Sequence, residues 1–276
     1  MQQNVSSHSE QKPFEVPASQ SVPSWKRPLD LLLLAISLPV TGPLMLLLAA
    51  WIRLLSSGPA FFVQERIGRN GKRFGCMKFR TMYHGCAASV HEQHLAKLVR
   101  QGGPMTKLDA IDPRLIPGAR FVRALGLDEL PQLINVFRGE MSWVGPRPCT
   151  KFEFETYTAD QMERFSALPG LTGLWQVSGK NNTSFQEMVE LDIRYTRNPS
   201  IFRDIRIMLT TPLVLLGQLV NIIEARRKVR AAAAAAASAA AASNAPSYTT
   251  LAESAASSSE LPIATSPVSV STDLPA

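Results

Sequence analysis

Cysteine is nearly missing: Cys76, Cys86 and Cys149 are the only three in 276 residues, which excludes a scaffold stapled by disulfides. Charge is sparse too, at 18% of residues, below the usual quarter of a globular protein. The hydrophobic share of 45% is nevertheless ordinary for a folded domain, so the chain is not disordered as a whole. Long apolar runs are equally scarce. Residues 31–52, about 22 in all, form the one long strongly apolar stretch without a charge, and a single such run excludes a polytopic transporter. Acidic residues are the rarer sign, 22 Asp and Glu against 29 Lys and Arg, for a net charge of +7. That excess calls for an anionic partner: nucleic acid, an anionic membrane surface or a phosphate-bearing substrate.

The charge is unevenly spread. Residues 1–24 are polar and carry Glu10, Lys12 and Glu15. Residues 231–276 run through Ala, then Ser, Thr and Pro, with Glu253, Glu260 and Asp273 and no Lys or Arg. The region between them therefore holds about +11. Neither end has enough large apolar groups to offset its ordering entropy, so both are predicted to be disordered tails. The mean hydropathy of +0.01 averages one very apolar segment with polar surroundings. The division is a tail over 1–24, a membrane helix over 25–55, a folded domain over 56–230 and a tail over 231–276.

As straight helix, residues 31–52 would span about 33 Å, enough for a bilayer core. Pro39, Gly42 and Pro43 sit near the middle, where proline removes a helix hydrogen bond and kinks the axis. Basic residues flank both ends, Lys26 and Arg27 before, Arg53, Arg66 and Arg69 after. The positive-inside rule places both flanks on the cytoplasmic side, which favours a helix that enters, bends at the prolines and returns. A plain signal-anchor helix is the alternative. Asp30 at the entry is expected to pair with Lys26 or Arg27 at headgroup level. A second apolar stretch, 205–223, leads into Arg226, Arg227, Lys228 and Arg230; it suits an interfacial amphipathic helix, with a buried core helix as the alternative.

Two apolar runs flank Arg69-Asn70-Gly71-Lys72, which predicts a β-hairpin. This hairpin carries Arg66, Arg69, Lys72, Arg73, Lys78 and Arg80, a set suited to phosphate groups of a lipid or a substrate. Cys76, Cys86, His91 and His94 match no familiar zinc spacing and are read as surface or core side chains. Farther on, Asp128 and Glu129 are adjacent carboxylates able to supply a nucleophile and a metal ligand in one site. If a helix begins there, its N–H groups would favour a phosphate, with Arg123 and Arg147 adding guanidinium forks. Simple capping of a helix by an Asp-Glu pair is the plainer alternative. The loop from Pro169 to Asn182 combines Gly170, Gly173 and Gly179 with Trp175, Gln176 and Lys180. Its glycines would let backbone approach a ligand closely, and Trp175 offers a stacking face.

Taken in order, these blocks resemble one family. They are KR-x-x-D before an apolar helix interrupted at Pro43, GPAFFVQERIGRNGKRF with KFRTM, LDELPQLINVFRGEMSWVGPRP, and PGLTGLWQVSGKNN. Together they resemble the bacterial sugar transferases, the monotopic phosphoglycosyl transferases that act on undecaprenyl phosphate, in their short catalytic-core form. The resemblance implies an α+β, mainly α fold: a re-entrant membrane helix broken near Pro39 and Pro43, and a cytoplasmic catalytic domain with a small hairpin and interfacial amphipathic helices. It implies transfer of a sugar-1-phosphate from a UDP-sugar to undecaprenyl phosphate with release of UMP, an initiating step of exopolysaccharide, capsule or O-antigen synthesis. By resemblance, Asp128 is the nucleophile that forms a phosphosugar-aspartyl intermediate, and Asp128 and Glu129 hold Mg2+. Arg123, Arg147, Lys78, Arg80, Gln176 and Lys180 would contact phosphate or nucleotide. The place of work would be the cytoplasmic face of the bacterial inner membrane, with UDP-sugar, undecaprenyl phosphate and membrane lipid as partners. A homo-oligomer is left open.

The chain departs from the family pattern at three points. Gly126 replaces a usual Ser or Thr, with an expected loss of a side-chain cap worth a few tenths of a kcal/mol. Leu168 and Lys180 stand where Arg is common, which removes guanidinium forks. A catalytically impaired scaffold of a polysaccharide assembly complex is the alternative function. Nucleic acid is not expected as a partner, because the sequence holds no helix-turn-helix, zinc-finger or ribonucleoprotein motif.

Overall fold

The computed structural model describes residues 21–83, 85, 112–179 and 183–243. Cys86, His91, His94 and Lys180 lie outside the described residues. Contacts divide the chain into one unit up to Ile223 and a second from Glu224. The fold is mainly helical with two small sheets, as the α+β expectation has it.

Helix α1 spans Lys26–Leu55. It carries two prolines, Pro39 and Pro43, and its helical conformation continues across both. Each proline deletes one backbone donor. In the same stretch Ser37 and Thr41 turn their hydroxyls back onto the Leu34 and Ser37 carbonyls. Most of the leucine-rich surface, including Leu32, Ile36, Val40, Leu46 and Leu47, is exposed, whereas Lys26, Asp30 and Ile52 are buried.

Strands β1 (Phe61–Ile67) and β2 (Arg73–Phe79) form the predicted antiparallel hairpin, in register from Phe61 with Phe79 to Ile67 with Arg73. The Asn-Gly signal is used literally: Asn70 has φ 56° and Gly71 φ 71°, both left-handed. Helix α2 (Ala119–Ala124) leads to a 3-10 turn, Leu127–Glu129, and then to α3 (Gln132–Arg138). Strand β3 (Ser142–Val144) pairs in parallel with β4 (Gly170–Thr172), a second sheet the sequence did not announce. Between them lie α4 (Lys151–Thr156) and a 3-10 helix, Asp160–Ser166. After β4 come α5 (Leu174–Val177), α6 (Phe185–Arg197) and α7 (Ile201–Ser243).

The β3–β4 pairing depends on three glycines. A Cβ on Gly145 would sit 2.1 Å from the Leu168 carbonyl oxygen, one on Gly170 2.1 Å from the Gly145 nitrogen, and one on Gly173 2.1 Å from the Gly145 oxygen. These glycines let backbone approach backbone; for Gly170 and Gly173 the expected close approach was to a ligand.

The basic entry of α1 also differs from expectation. Lys26 Nζ donates to the Val144 carbonyl (2.7 Å), to Tyr195 (2.8 Å) and to Asp204 near the start of α7. Asp30 does not pair with its basic neighbours at headgroup level. Its carboxylate accepts from the Ser142 hydroxyl (2.8 Å) and the Trp143 amide (3.0 Å). Arg27 donates to the Val136 and Phe137 carbonyls, the orphan acceptors at the end of α3. At the other end of α1, Ile52 packs with Ala60, Phe79, Leu115, Ile116 and Ala119. Both ends are thus tied to the same body.

Two helices, α1 and the Ile201–Ser238 part of α7, are long and apolar enough to cross a membrane by length and composition. Asp204 and Ile207 of α7 are buried, but Phe202, Leu209, Leu213, Leu216 and Val220 are exposed, which does not fit a buried core helix. In the second unit, helical structure extends to Ser243, past the boundary at 231 where composition predicted a disordered tail. Alanine is the strongest helix former, so the run needs no docking partner to favour this conformation.

Candidate active site

The two acidic residues do not open a long helix, as the phosphate-cradle argument supposed. They sit on the Leu127–Glu129 turn, and α3 starts only at Gln132. The turn is set by Gly126, whose φ of 67° is left-handed. Glycine is therefore the favoured residue there, and the expected loss of a cap is not the governing term. Asp128 is buried at 6% exposure, while the Glu129 side chain is 36% exposed.

Strand β2 brings the base to this turn. Lys78 Nζ donates to Glu129 Oε1 at 2.9 Å. Asn135, fully buried in α3, locks that strand in place: its Oδ1 accepts from the Met77 amide (3.0 Å), and its Nδ2 donates to the Gly75 carbonyl (2.8 Å) and Glu140 (2.6 Å). Arg123 reaches the Thr81 hydroxyl at 3.2 Å.

The other arginines are placed differently. Arg80 was expected to face a phosphate. It is buried, donating to the Pro59 carbonyl (2.6 Å), the Ser56 hydroxyl (2.8 Å) and the Ser56 and Gly58 carbonyls, so it closes the loop after α1. Arg66 is buried as well and holds Gln64 and the Pro148 carbonyl. Arg147 Nη1 donates to Glu153 Oε1 at 2.6 Å, and its guanidinium carbon lies 6.0 Å from the Trp175 ring centre. Trp175 is therefore a buried platform beneath an arginine rather than an open stacking face; its indole N–H donates to Thr183 at 2.6 Å. Gln176 is half-buried, with its Oε1 enclosed and unpartnered. Leu168 lines a shallow recess with Val22, Lys26 and Tyr195.

Sequence reasoning passed over Glu153, which is fully buried. Its Oε2 accepts from the Thr150 amide (2.6 Å) and hydroxyl (3.0 Å), and Arg66 lies 3.7 Å away. Burial alone would raise this carboxyl; Arg147, Arg66 and the Thr150 amide outweigh that and hold it at about 2. The Thr150-x-x-Glu153 capping box was the available signal. Arg164, also missed, is buried between Tyr157, Asp192 and the Arg147 carbonyl.

Cys76 lies on β2, two residues before Lys78. Burial pushes its thiol up, and it lies within electrostatic reach of Lys78 and Glu129 as well as Arg66 and Arg147. The hairpin connects the acidic turn with the arginine pair: Lys78 of β2 bonds Glu129, and Arg66 of β1 lies 3.7 Å from the Glu153 carboxylate that holds Arg147. As a donor set, Asp128 and Glu129 fit Mg2+, which binds one or two carboxylates and completes its shell with water and substrate phosphates. Among the described residues no group of three or more His, Cys, Asp or Glu could hold a metal, so the donor set suits an ion shared with a phosphate rather than a protein cage.

The chain is 44% identical over 194 residues to the galactosyl transferase CpsE of Streptococcus agalactiae, covering 70% of this chain and 42% of that protein. It is 39% identical over 195 residues to the exopolysaccharide production protein ExoY of Rhizobium meliloti, covering 70% and 86%. To the undecaprenyl-phosphate galactose phosphotransferase of Salmonella typhimurium it is 38% identical over 199 residues, covering 69% and 40%. The chain thus spans well under half the length of the Streptococcus and Salmonella relatives. A profile of the bacterial sugar transferases matches residues 21–218, most of the unit that carries the acidic turn and both arginine groups, and the chain belongs to the bacterial sugar transferase family.

Proposed function

We propose that the protein is a phosphoglycosyl transferase that moves a sugar-1-phosphate from a UDP-sugar to undecaprenyl phosphate, releasing UMP and starting a lipid-linked glycan. The observation that carries this reading is the Lys78–Glu129 pair beside the buried Asp128, on a turn flanked by Arg123. The printed names of relatives agree with it: one is an undecaprenyl-phosphate galactose phosphotransferase, another a UDP-galactose-lipid carrier transferase.

Phosphoryl transfer is largely positioning and charge neutralisation, and the residues here are suited to both. An Asp128 carboxylate oxygen attacks the sugar-linked phosphorus. The bond from that phosphorus to the bridging oxygen breaks, and UMP departs with the electron pair. An oxygen of the polyprenyl phosphate then attacks the same phosphorus, forming the diphosphate link and returning Asp128 to its carboxylate. Lys78 orients Glu129, and Arg123 and Arg147 hold phosphoryl oxygens. Mg2+ held by Asp128 and Glu129 would neutralise diphosphate charge.

We read α1 as a re-entrant helix that attaches the protein to the cytoplasmic face of the inner membrane; its two anchored ends support the re-entrant form, and its basic flanks support the cytoplasmic face. Lys26 and Arg27 bind the body at the entry, and Arg80 holds Ser56 at the exit. Prolines at 39 and 43 supply the points at which the axis can bend.

The test incubates membranes carrying the full chain with UDP-galactose and a panel of other UDP-sugars, undecaprenyl phosphate and Mg2+, and measures UMP. Asp128→Asn should abolish UMP release while the protein stays in the membrane fraction. Near-normal turnover in that variant overturns the nucleophile assignment.

A further inference from the structure

We infer that Glu153 is a positioning residue: it aims the Arg147 guanidinium at the diphosphate of the nucleotide-sugar donor. The inference rests on the proposed phosphate-holding role of Arg147.

Three features of the geometry support it. First, Glu153 has more charge than its local task needs. A capping box accepts Gln as readily as Glu, so the ionised carboxylate is not required to start α4. Burying a carboxylate without a partner is expensive, and the countercharges here are Arg147 at 2.6 Å and Arg66 at 3.7 Å. Second, Arg147 is gripped from two directions while part of it stays open. Its Nη1 is committed to Glu153, Trp175 lies beneath the guanidinium, and its side chain keeps 21% exposure. Glu153 is the one hydrogen-bond partner of this guanidinium among the described residues, which leaves its remaining N–H groups for an anion. A guanidinium fork recognises phosphoryl oxygens only when its plane is held, and the carboxylate and indole hold it.

Third, the gripped arginine and the acidic turn are both tied to the β1–β2 hairpin. Lys78 and Cys76 are two residues apart on β2, about 7 Å along the strand. Lys78 of β2 bonds Glu129, and Arg66 of β1 lies 3.7 Å from the Glu153 carboxylate that holds Arg147, so the two strands of one hairpin reach both groups. On this account a nucleoside diphosphate meets Asp128 at one phosphate and Arg147 at the other. Gln64, opposite Cys76, has its carbonyl taken by Arg66, so Arg66 braces the same assembly from the hairpin.

The test uses the full chain in detergent and UDP as the probe, with binding read by calorimetry and folding by thermal melting. Arg147→Ala should weaken UDP binding at least tenfold, and Glu153→Gln, which keeps the capping box, about tenfold, the weight of one charge-assisted contact. The double variant should bind within twofold of Arg147→Ala alone, because Glu153 acts only through Arg147. A purely structural Glu153 would lower the melting temperature without this non-additivity. Unchanged UDP binding in Glu153→Gln, or additive losses in the double variant, overturns the inference and leaves the role of Arg147 standing. Unchanged binding in Arg147→Ala overturns both. Should Glu153→Gln fail to fold, Trp175→Phe removes the platform on the other side and leaves Glu153 in place. It should weaken UDP binding two- to threefold and non-additively with Arg147→Ala; an additive loss there overturns the positioning account.

Discussion

Lys78 Nζ stands 2.9 Å from Glu129 Oε1, with 23% of the lysine side chain and 36% of the glutamate side chain open to solvent. The pair joins two segments 51 residues apart, and Asn135 holds both in register by bonding the β2 backbone from α3. An ion pair this exposed adds little to stability. Its value lies in orienting Glu129 beside Asp128 and in placing a cation where phosphate charge would gather.

That division of roles makes Lys78 informative. Lys78→Met should lower UMP release about ten- to a hundredfold, the weight of one or two charge-assisted contacts. It should move the melting temperature little. Lys78→Arg should recover part of the activity. A loss of folding in Lys78→Met with no specific loss of turnover would place the residue in the scaffold instead.

Gly126 gives a second prediction, of opposite sign to the one its sequence context suggests. Its φ is 67°, and a Cβ there would find nothing nearer than Leu215 Cδ2 at 3.7 Å. Space is available, so the backbone decides. A side chain in the left-handed region costs roughly 1–2 kcal/mol, against a few tenths recovered by a serine cap. Gly126→Ser should therefore destabilise the protein by about 1 kcal/mol and lower the melting temperature by about 2–4 °C. A raised melting temperature would show that the cap prevails.

The contrast marks what spacing and composition could carry. The hairpin was legible because Asn70-Gly71 encodes two successive left-handed residues, a local property. The acidic pair stood out through the family blocks around it, because an Asp-Glu pair by itself also serves as a helix cap. What stayed hidden depends on contacts between elements from 21 to 178 residues apart in sequence. Lys26 and Asp30 read as a membrane flank, yet their partners are Val144, Asp204 and Ser142. Gly170 and Gly173 read as ligand-facing, yet both face the Gly145 backbone. Arg80 and Trp175 have phosphate- and base-binding chemistry, but burial gives them carbonyls and an arginine instead. Residue type set the available chemistry, and the crossing of elements chose its target.

The same long-range contacts lead to a prediction about topology. A helix of 30 residues that crosses a bilayer straight would carry its two ends to opposite faces, about 45 Å apart. Here the entry is held by Lys26 and Arg27, and the exit by Ser56 through Arg80 and by Ile52 within the core. Both sets of contacts belong to the unit that ends at Ile223, so separating them across a membrane would tear buried ion pairs and packed apolar surface from one body. Breaking a buried pair alone costs about 3–5 kcal/mol. In intact inverted vesicles, with Cys86 replaced by Ser, single cysteines at Ser24 and at Ser57 should both react with a membrane-impermeant maleimide, since the cytoplasmic face is outermost there. In right-side-out vesicles neither should react until the membrane is opened. Labelling of one position in each orientation would mean that α1 crosses the bilayer, and that contacts at one of its ends do not form in the membrane.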